Sequence, residues 1–560
     1  MRTSPRGRPD EEYFLERGFR YISQTNSAEV GKKMLIDGWP EGWPRLISAL
    51  QRLEATILGL LSRRPVNLGC LYAVNPVAVE LAPRLFSAVL GTAACLLVGL
   101  TVRRIVDPAS RTWALAVGIA SLGLNYQAGR DAHFAVSDAS LIFFIALCLY
   151  ALIRAVDDSP KWLLLAGAAA GAGFGIKYAA ASLAFPCVIG GVSCLVRMRG
   201  RRIQVSLFGI GAFLLGIGAL GVLSPRAVTN FQLTWQGLVG HGDRYVDARA
   251  SGYLLDPAAV LVPGWRFHLT TTLPTAFGWV GFASAVGGLA VVWRRDRWAA
   301  AVLTGSALGA FAFVAPVSLL FVRYASPMLP ALTIALGVLL ASIWPFFRAR
   351  LSGRPAAAGT VVLMCAVLLP PGLRLAAFDR LMARPDSRDL ATEWVMSQGP
   401  GTTLIGEGQW AQVQSIEAGA QAACREVIPD WLDRPAPALP DNPGRPRDWN
   451  GMVANAAAGW ETIAHEALFD DWCERAPPVL TSEFIAQGRA ALPCGKQGKA
   501  IWLHQLDPTC FKPVMTFEPG PLACDDYVDL FDSFYVPYDG FSSTKYPGPT
   551  TEIFQNVCLR

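Results

Sequence analysis

Two clusters of ionisable residues stand out from an apolar background. Pro9-Asp10-Glu11-Glu12-Tyr13 lies near the amino terminus. Arg130-Asp131-Ala132-His133-Phe134, followed by Asp138, lies between two long apolar runs, one closing near Ala128 and one opening at Ala139. A third, looser set of basic residues, Lys177, Arg226 and Arg323, falls at the ends of further apolar runs. Ionisable groups at a membrane boundary are costly to place and mark a functional site by default. A carboxylate facing a wet cavity can act as general base on a hydroxyl. Arg holds a phosphate through its planar fork and Lys as a point charge. A base and a phosphate clamp are what transfer of a group from a lipid phosphate requires. Loss of phosphate from an anomeric carbon would follow the oxocarbenium-like course of glycoside hydrolysis. Asp131 and Asp138 are spaced so that a helix through both would set them two turns apart on one face.

Each residue also has a structural alternative. Asp10-Glu11-Glu12 reads equally as a solvated acidic run. Arg130 and Asp131 could form a local ion pair, and His133 could pack at the interface. Asp138 could cap a helix beginning at Ala139, a role that suits Asp. Lys177 and Arg323 could anchor helix ends at the headgroups.

The elements that must position these residues are apolar helices. The chain has 560 residues, 52% hydrophobic and 16% charged, against about 25% charged in an ordinary soluble domain. Apolar segments recur near 81–104, 111–128, 139–155, 161–178, 179–196, 204–223, 268–293, 298–322, 326–347 and 356–371. These are about ten segments, each near the roughly 20 residues needed to cross the hydrocarbon. The pair 161–196 is nearly continuous, broken only at Lys177-Tyr178, and reads as two spans or as one tilted span with a re-entrant piece. The fold class expected is a mainly α multi-spanning bundle followed by a small external α+β domain. Residues 1–80 form a first external loop with interfacial helices, 81–371 the bundle and 372–560 the external domain. Within the first, apolar residues at 46, 47, 50, 53, 57, 58 and 61 keep a helical period. Trp39 and Trp43 stand at its head, a position that suits either the membrane interface or packing on the bundle. In the last, Thr402–Gly406 and Ala500–Leu503 read as strands and Arg388–Ser397 as a helix. No cleavable signal peptide is visible in the polar first residues.

Loop charge sets the orientation. Arg103-Arg104, Arg154 with Lys161, Arg197 through Arg202, Arg294 through Arg297 and Arg348 through Arg354 occupy alternate, short loops and are placed in the cytoplasm. Segment 129–138, Lys177, loop 224–267, Arg323 and everything after 372 then lie outside. The amino terminus also falls outside, so the pattern expects a further membrane helix, an eleventh, ahead of Met1. Of the 12 cysteines, six lie after residue 372, an even number that suggests disulfides in an oxidising compartment. The net charge of +6 is small for this length, and no basic stripe with interleaved aromatics marks a nucleic-acid site.

In order and common sidedness, these motifs resemble the C-type multi-spanning glycosyltransferases. The nearest are bacterial relatives of the dolichyl-phosphate-mannose protein mannosyltransferases and of the 4-amino-4-deoxy-arabinose lipid A transferase. The residues that carry the resemblance are Pro9-Asp10-Glu11, Arg130 through Phe134 with Asp138, and Gly175-Ile176-Lys177-Tyr178. Ser224-Pro225, Arg323 through Pro330, and Asp386 through Trp394 continue it, and the tail 532–549 closes it. The family carries a membrane helix ahead of its first acidic motif, and this sequence does not. The resemblance implies a hexosyl or pentosyl transferase at the outer face of the plasma membrane, taking a sugar from a polyprenyl-phosphate donor to a hydroxyl of a lipid, glycan or protein. Asp10, with Glu11 beside it, matches the catalytic base, and Asp138 the second acidic position, with Asp131 as a further partner. Lys177, Arg323 and Arg130 would hold the phosphate, with His133 beside them. A single displacement would invert the anomeric centre. No cofactor is expected, although carboxylates with His133 could ligate a divalent metal. Two other classes stay open. A transporter or flippase of a lipid-linked sugar would show midplane sites and inverted repeats. A non-catalytic assembly protein would depend on residues 372–560 rather than on Asp10 or Asp138.

Overall fold

The computed structural model describes residues 39–63, 65–68, 71, 76–246, 263–318, 320–351 and 353–387, residues 390, 391 and 394, and a set of strands with their neighbours between 404 and 556. Asp10 and Glu11 lie outside the described residues. The first described helix, α1 (Gly42–Ser62), follows the apolar period read from the sequence. Trp43, Ile47, Ser48 and Gln51 are buried on one face, while Leu53, Ile57, Leu60 and Leu61 are exposed. An exposed leucine stripe on an amphipathic helix fits the plane of a membrane interface. Trp43 is not part of that stripe. It is fully buried against Ile176 and Phe86, and its Nε1–H donates to the Ala135 carbonyl at 2.8 Å. A buried indole N–H requires such an acceptor.

The bundle follows as α2 (Pro76–Ile105), α3 (Arg111–Gly123), α4 (Tyr126–Ala132), α5 (Ser137–Asp157), α6 (Trp162–Ile176), α7 (Ala184–Arg197) and α8 (Arg202–Leu223). Next come α9 (Pro225–Thr229), α10 (Phe231–Val246), α11 (Gly264–Phe267), α12 (Leu273–Phe277), α13 (Trp279–Arg295), α14 (Arg297–Val314), α15 (Leu329–Arg350) and α16 (Arg354–Met382). Among the described residues seven helical segments are long and apolar enough to cross a membrane. The stretch Gly264–Phe277 with Trp279–Arg295 makes an eighth if its 102° bend is one broken span, and Trp113–Gly123 and Trp162–Ile176 are shorter apolar helices. Every apolar segment read from the sequence therefore contains helix. The bend sits at Gly278, φ 72°, a left-handed backbone that glycine adopts without steric cost.

The continuous run 161–196 is two helices. α6 ends at Ile176, Lys177 is extended, a 3-10 turn covers Tyr178–Leu183, and α7 follows. α6 lies against α8 along small residues, where a methyl on Gly167 would meet the Ala212 carbonyl oxygen at 2.1 Å and one on Gly171 the Gly216 oxygen at 2.0 Å. Small residues allow helix backbones to approach this closely where lipid supplies no hydrophobic drive. The last bundle helix runs through Pro370 and Pro371 to Met382, past the apolar segment that ended at 371. Prolines are tolerated inside membrane helices where neighbouring groups take over the freed carbonyls.

The two ends of the bundle differ in chemistry. At one end, Arg104 pairs with Asp158 and lies 3.6 Å from Asp157, Arg154 pairs with Asp158, Arg197 reaches Asp157 at 2.7 Å, and Arg295 reaches Asp107 at 2.6 Å. These residues all come from loops placed together by the charge alternation. The opposite end carries the site described next. Beyond the bundle, β1 (Leu404–Glu407), β2 (Phe484–Ala491), β3 (Gln497–Ala500), β4 (Phe511–Phe517) and β5 (Thr550–Asn556) form one sheet, ordered β1-β2-β5-β4 with β3 also on β2. β1 runs parallel to β2, and the other pairs are antiparallel. Ser387, Leu390, Ala391 and Trp394 are helical, so the described residues beyond the bundle combine helix and strand.

Candidate active site

Residues 125–138 form a helix, a break and a second helix. Asn125 caps α4, its side chain accepting from the Ala128 N–H at 3.1 Å. α4 ends at Ala132, Val136 is extended, and α5 starts at Ser137. No single helix carries Asp131 and Asp138: four residues, 133–136, separate α4 from α5, so the one-face spacing that a continuous helix would give does not apply. Trp43 fixes that interruption through the Ala135 carbonyl. The capping expectation for Asp138 is corrected as well. It lies in the first turn of α5, the residue ahead of the helix is Val136, and no side chain caps that end. Asp138 instead accepts from Lys177 Nζ at 2.7 Å, with Asp138 1% exposed and Lys177 8%.

The extended break between α6 and the 3-10 turn aims Lys177 at α5. Behind it, Gly42 of α1 packs so closely that a methyl there would meet the Gly175 oxygen at 2.2 Å. An ammonium carries three donors, and Asp138 engages one of them. Asp131, also fully buried, accepts from Gln127 Nε2 at 2.8 Å and from the Ser326 hydroxyl at 3.0 Å. Ser326 belongs to the 3-10 turn Val322–Met328, which also carries Arg323, 6% exposed, its guanidinium carbon 4.6 Å from the Phe321 ring centroid. That turn packs against α4, α5 and the turn after Lys177. Arg130 is fully buried on α4. The structure thus gathers Arg130, Asp131, Asp138, Lys177 and Arg323 onto packed elements at one end of the bundle.

His133 sits at the edge. Its Nδ1 lies 2.8 Å from the Gly129 carbonyl and its Nε2 3.0 Å from Asp379, with the side chain 39% exposed. Asp379 and its neighbour Phe378, whose ring meets those of Tyr126, His133 and Phe134, come from the extension of α16 beyond Pro371. Sequence reading missed Asp379 and Gln127, which nothing local in the sequence marks, and took Ser326 only as part of the Arg323–Pro330 motif, without its role as a partner of Asp131. It also missed Glu41, fully buried ahead of α1. Glu41 accepts from the Arg226 N–H at 3.0 Å and from Arg226 Nη1 at 2.9 Å. This pair ties α1 to α9 on the same end as Lys177.

Below Lys177 an apolar cavity of about 500 Å³ opens between α6, α7 and α8, lined by Phe174, Ala180, Leu183, Val188, Phe213 and Leu220 among others. Its walls include Ala180, Ala181 and Leu183 of the 3-10 turn that follows Lys177. Among the described residues no three His, Cys, Asp or Glu side chains gather as a metal ligand set.

The family model described as dolichyl-phosphate-mannose-protein mannosyltransferase matches residues 73–228, a span that includes Arg130, Asp131, His133, Asp138 and Lys177. No curated protein sequence matches the chain. Among solved structures, ArnT from Cupriavidus metallidurans bound to undecaprenyl phosphate is 17% identical with a TM-score of 0.39, over 63% of this chain and 66% of that one. This chain therefore spans just under two thirds of that structure's length. The same protein in the apo state gives 17% and 0.39 over 68% and 76%. The Archaeoglobus fulgidus oligosaccharyltransferase, in complex with Zn and sulfate, gives 12% and 0.40 over 99% and 86%. The resemblance to membrane glycosyltransferases drawn from the sequence returns as a family match: from residue 73 to residue 228, this multi-spanning helical chain is similar to the dolichyl-phosphate-mannose-protein mannosyltransferases.

Proposed function

We propose that the chain transfers a sugar from a polyprenyl-phosphate carrier to a hydroxyl of a lipid, glycan or protein, at the outer face of the plasma membrane. The observation that carries this reading is the buried Lys177–Asp138 pair, next in the chain to a 3-10 turn that lines an apolar cavity. An isoprenoid chain in the cavity would bring its phosphate to Lys177, which keeps donors beyond the one given to Asp138. Asp138 orients the ammonium, and Arg323, on the adjoining turn, supplies a second cation. As the bond between the anomeric carbon and the phosphate oxygen breaks, its electron pair stays on the phosphate. The added negative charge is stabilised by these fixed cations in a dry site. The acceptor oxygen attacks the opposite face of the anomeric carbon, its proton passes to a carboxylate, and the centre inverts. Asp10, with Glu11 beside it, is proposed as that base. The scheme invokes no cofactor.

The family match supports the donor class, since its members are described by a dolichyl-phosphate-mannose donor. Cys510 is disulfide-bonded, while Cys95, Cys148, Cys187, Cys194 and Cys365 in the bundle are free. A disulfide after the last helix supports an external position for residues 372–560. One feature favours a transporter: the helix pair bent by 102°.

Transfer of label from a polyprenyl-phosphate sugar, in membranes carrying the full chain, tests the proposal. Lys177→Met is expected to lower transfer by about 100-fold or more. Unchanged transfer in that variant sinks the phosphate-clamp reading, and flipping of the labelled lipid without any transfer supports the transporter instead.

A further inference from the structure

His268 is fully buried, and among the described residues neither of its ring nitrogens has a hydrogen-bond partner. It opens a π turn, His268–Thr272, just ahead of the break at Gly278. Such widened turns concentrate at functional sites, and a buried polar group with no protein partner calls for an explanation. The neighbours supply one. The π turn packs against the turn Val322–Met328, which carries Arg323 and the Ser326 that holds Asp131. α12, which continues from it, packs against α4, the helix of Arg130 and Asp131. The turn that carries His268 therefore adjoins the turn that carries Arg323, part of the proposed phosphate clamp.

The chemistry of a neutral imidazole selects its ligand. It offers one donor and one acceptor, on different edges of the ring. A phosphate only accepts, so it would satisfy one nitrogen and leave the other buried and unmet. Two hydroxyl groups satisfy both, one accepting from the N–H and the other donating to the bare nitrogen. We propose that His268 reads two hydroxyls of the donor's sugar and so determines sugar specificity. This rests on the lipid-linked donor proposed above and adds the sugar-recognition residue to it.

The test compares the affinities of sugar-free undecaprenyl phosphate and of its mannose and glucose derivatives for the full-length protein in nanodiscs. The wild type is expected to bind the better of the two sugar lipids more tightly than the bare lipid. His268→Phe should reduce that advantage by about tenfold, the worth of one to two neutral hydrogen bonds, while binding bare undecaprenyl phosphate as before. His268→Gln, whose amide keeps a donor and an acceptor, should recover part of it. With no ligand present, His268→Phe should melt at the same temperature as the wild type or higher, because an apolar ring removes unmet polar atoms from the interior. An undiminished sugar advantage in both variants overturns the proposal, as does an equal loss for bare and sugar lipids. Failure of the wild type to bind any of the three lipids overturns the donor reading itself, a different outcome from binding that ignores His268.

Discussion

At the scale of single residues, the site is built from pairs that distance along the chain conceals. Asp138 and Lys177 were both singled out from the sequence, each with its own role. Nothing in their spacing showed that they meet at 2.7 Å, because that contact depends on α6 ending one residue before Lys177. The pairing divides the work between carboxylates. An Asp138 oxygen already engaged by an ammonium serves to hold that ammonium, which leaves proton removal to the proposed base, Asp10. Asp10→Asn is accordingly expected to cut transfer by about 10²–10⁴-fold, the usual worth of a general base, while leaving donor binding intact; equal activity in a correctly inserted protein would remove Asp10 from the mechanism. Asp138→Asn should behave differently. It leaves Lys177 buried with a weaker partner, so donor affinity and stability should fall together, the latter by about 3–5 kcal/mol where a buried pair is broken. Isothermal titration with undecaprenyl phosphate and thermal melting separate the two variants. Asp131 was legible as a candidate carboxylate of the site but not as the acceptor of Ser326, a residue far away in sequence. His133 was legible, whereas its partner Asp379 was hidden behind two prolines that read as the end of a helix.

At the scale of elements, apolar length and period carried most of the fold. Each apolar run contains helix, and α1 kept the period of its leucines and isoleucines. What composition could not convey was where a run breaks. The junctions at His133–Val136, Lys177 and Gly278 are short and carry little beyond a polar residue or a glycine, yet the first two position Asp138 and Lys177. Helix packing has its own consequence in α6. Gly171 approaches the Gly216 carbonyl too closely for any side chain, so Gly171→Leu should separate α6 from α8, cost about 1–3 kcal/mol through overpacking, and distort the cavity beneath Lys177. A lower melting temperature with weakened lipid binding is the expected result; an unchanged melting curve would show that the helices can part freely. α1 responds to pH through Glu54. Burial pushes its carboxyl from the ordinary 4.5 up to about 8, so the folded helix keeps a proton that the unfolded chain releases. The stability tied to that proton is full below about pH 4.5 and is lost as pH rises towards 8. Glu54→Gln should therefore melt like the wild type near pH 4.5 and above it at pH 8. Equal melting at both values would place Glu54 in water.

At the scale of the whole molecule, the chain has two chemically distinct ends. The arginine-rich loops assigned together by charge alternation meet as one band of ion pairs through Arg104, Arg154, Arg197 and Arg295 with Asp107, Asp157 and Asp158. The opposite end gathers Glu41 with Arg226, Asp138 with Lys177, and His133 with Asp379. The sequence could sort loops into two classes because Lys and Arg bias is local; it could not show that members of one class touch. The ion pairs of the first band are partly exposed and individually worth little, so its significance is topological. The bias of basic residues to the cytoplasm predicts that band on the cytoplasmic side and, in line with the proposed function, the site outside, where a lipid-linked sugar and an external acceptor would meet. Two engineered cysteines decide the matter. Gln232→Cys, exposed just beyond Arg226 at the site end, should react with a membrane-impermeant maleimide on intact cells. Gly200→Cys, exposed among the arginines at the other end, should react only after permeabilisation, with the unsubstituted chain as the background for both. The reverse pattern would put the site in the cytoplasm, where the disulfide at Cys510 has no oxidising environment to form it, and the outer-face reading would fall with it.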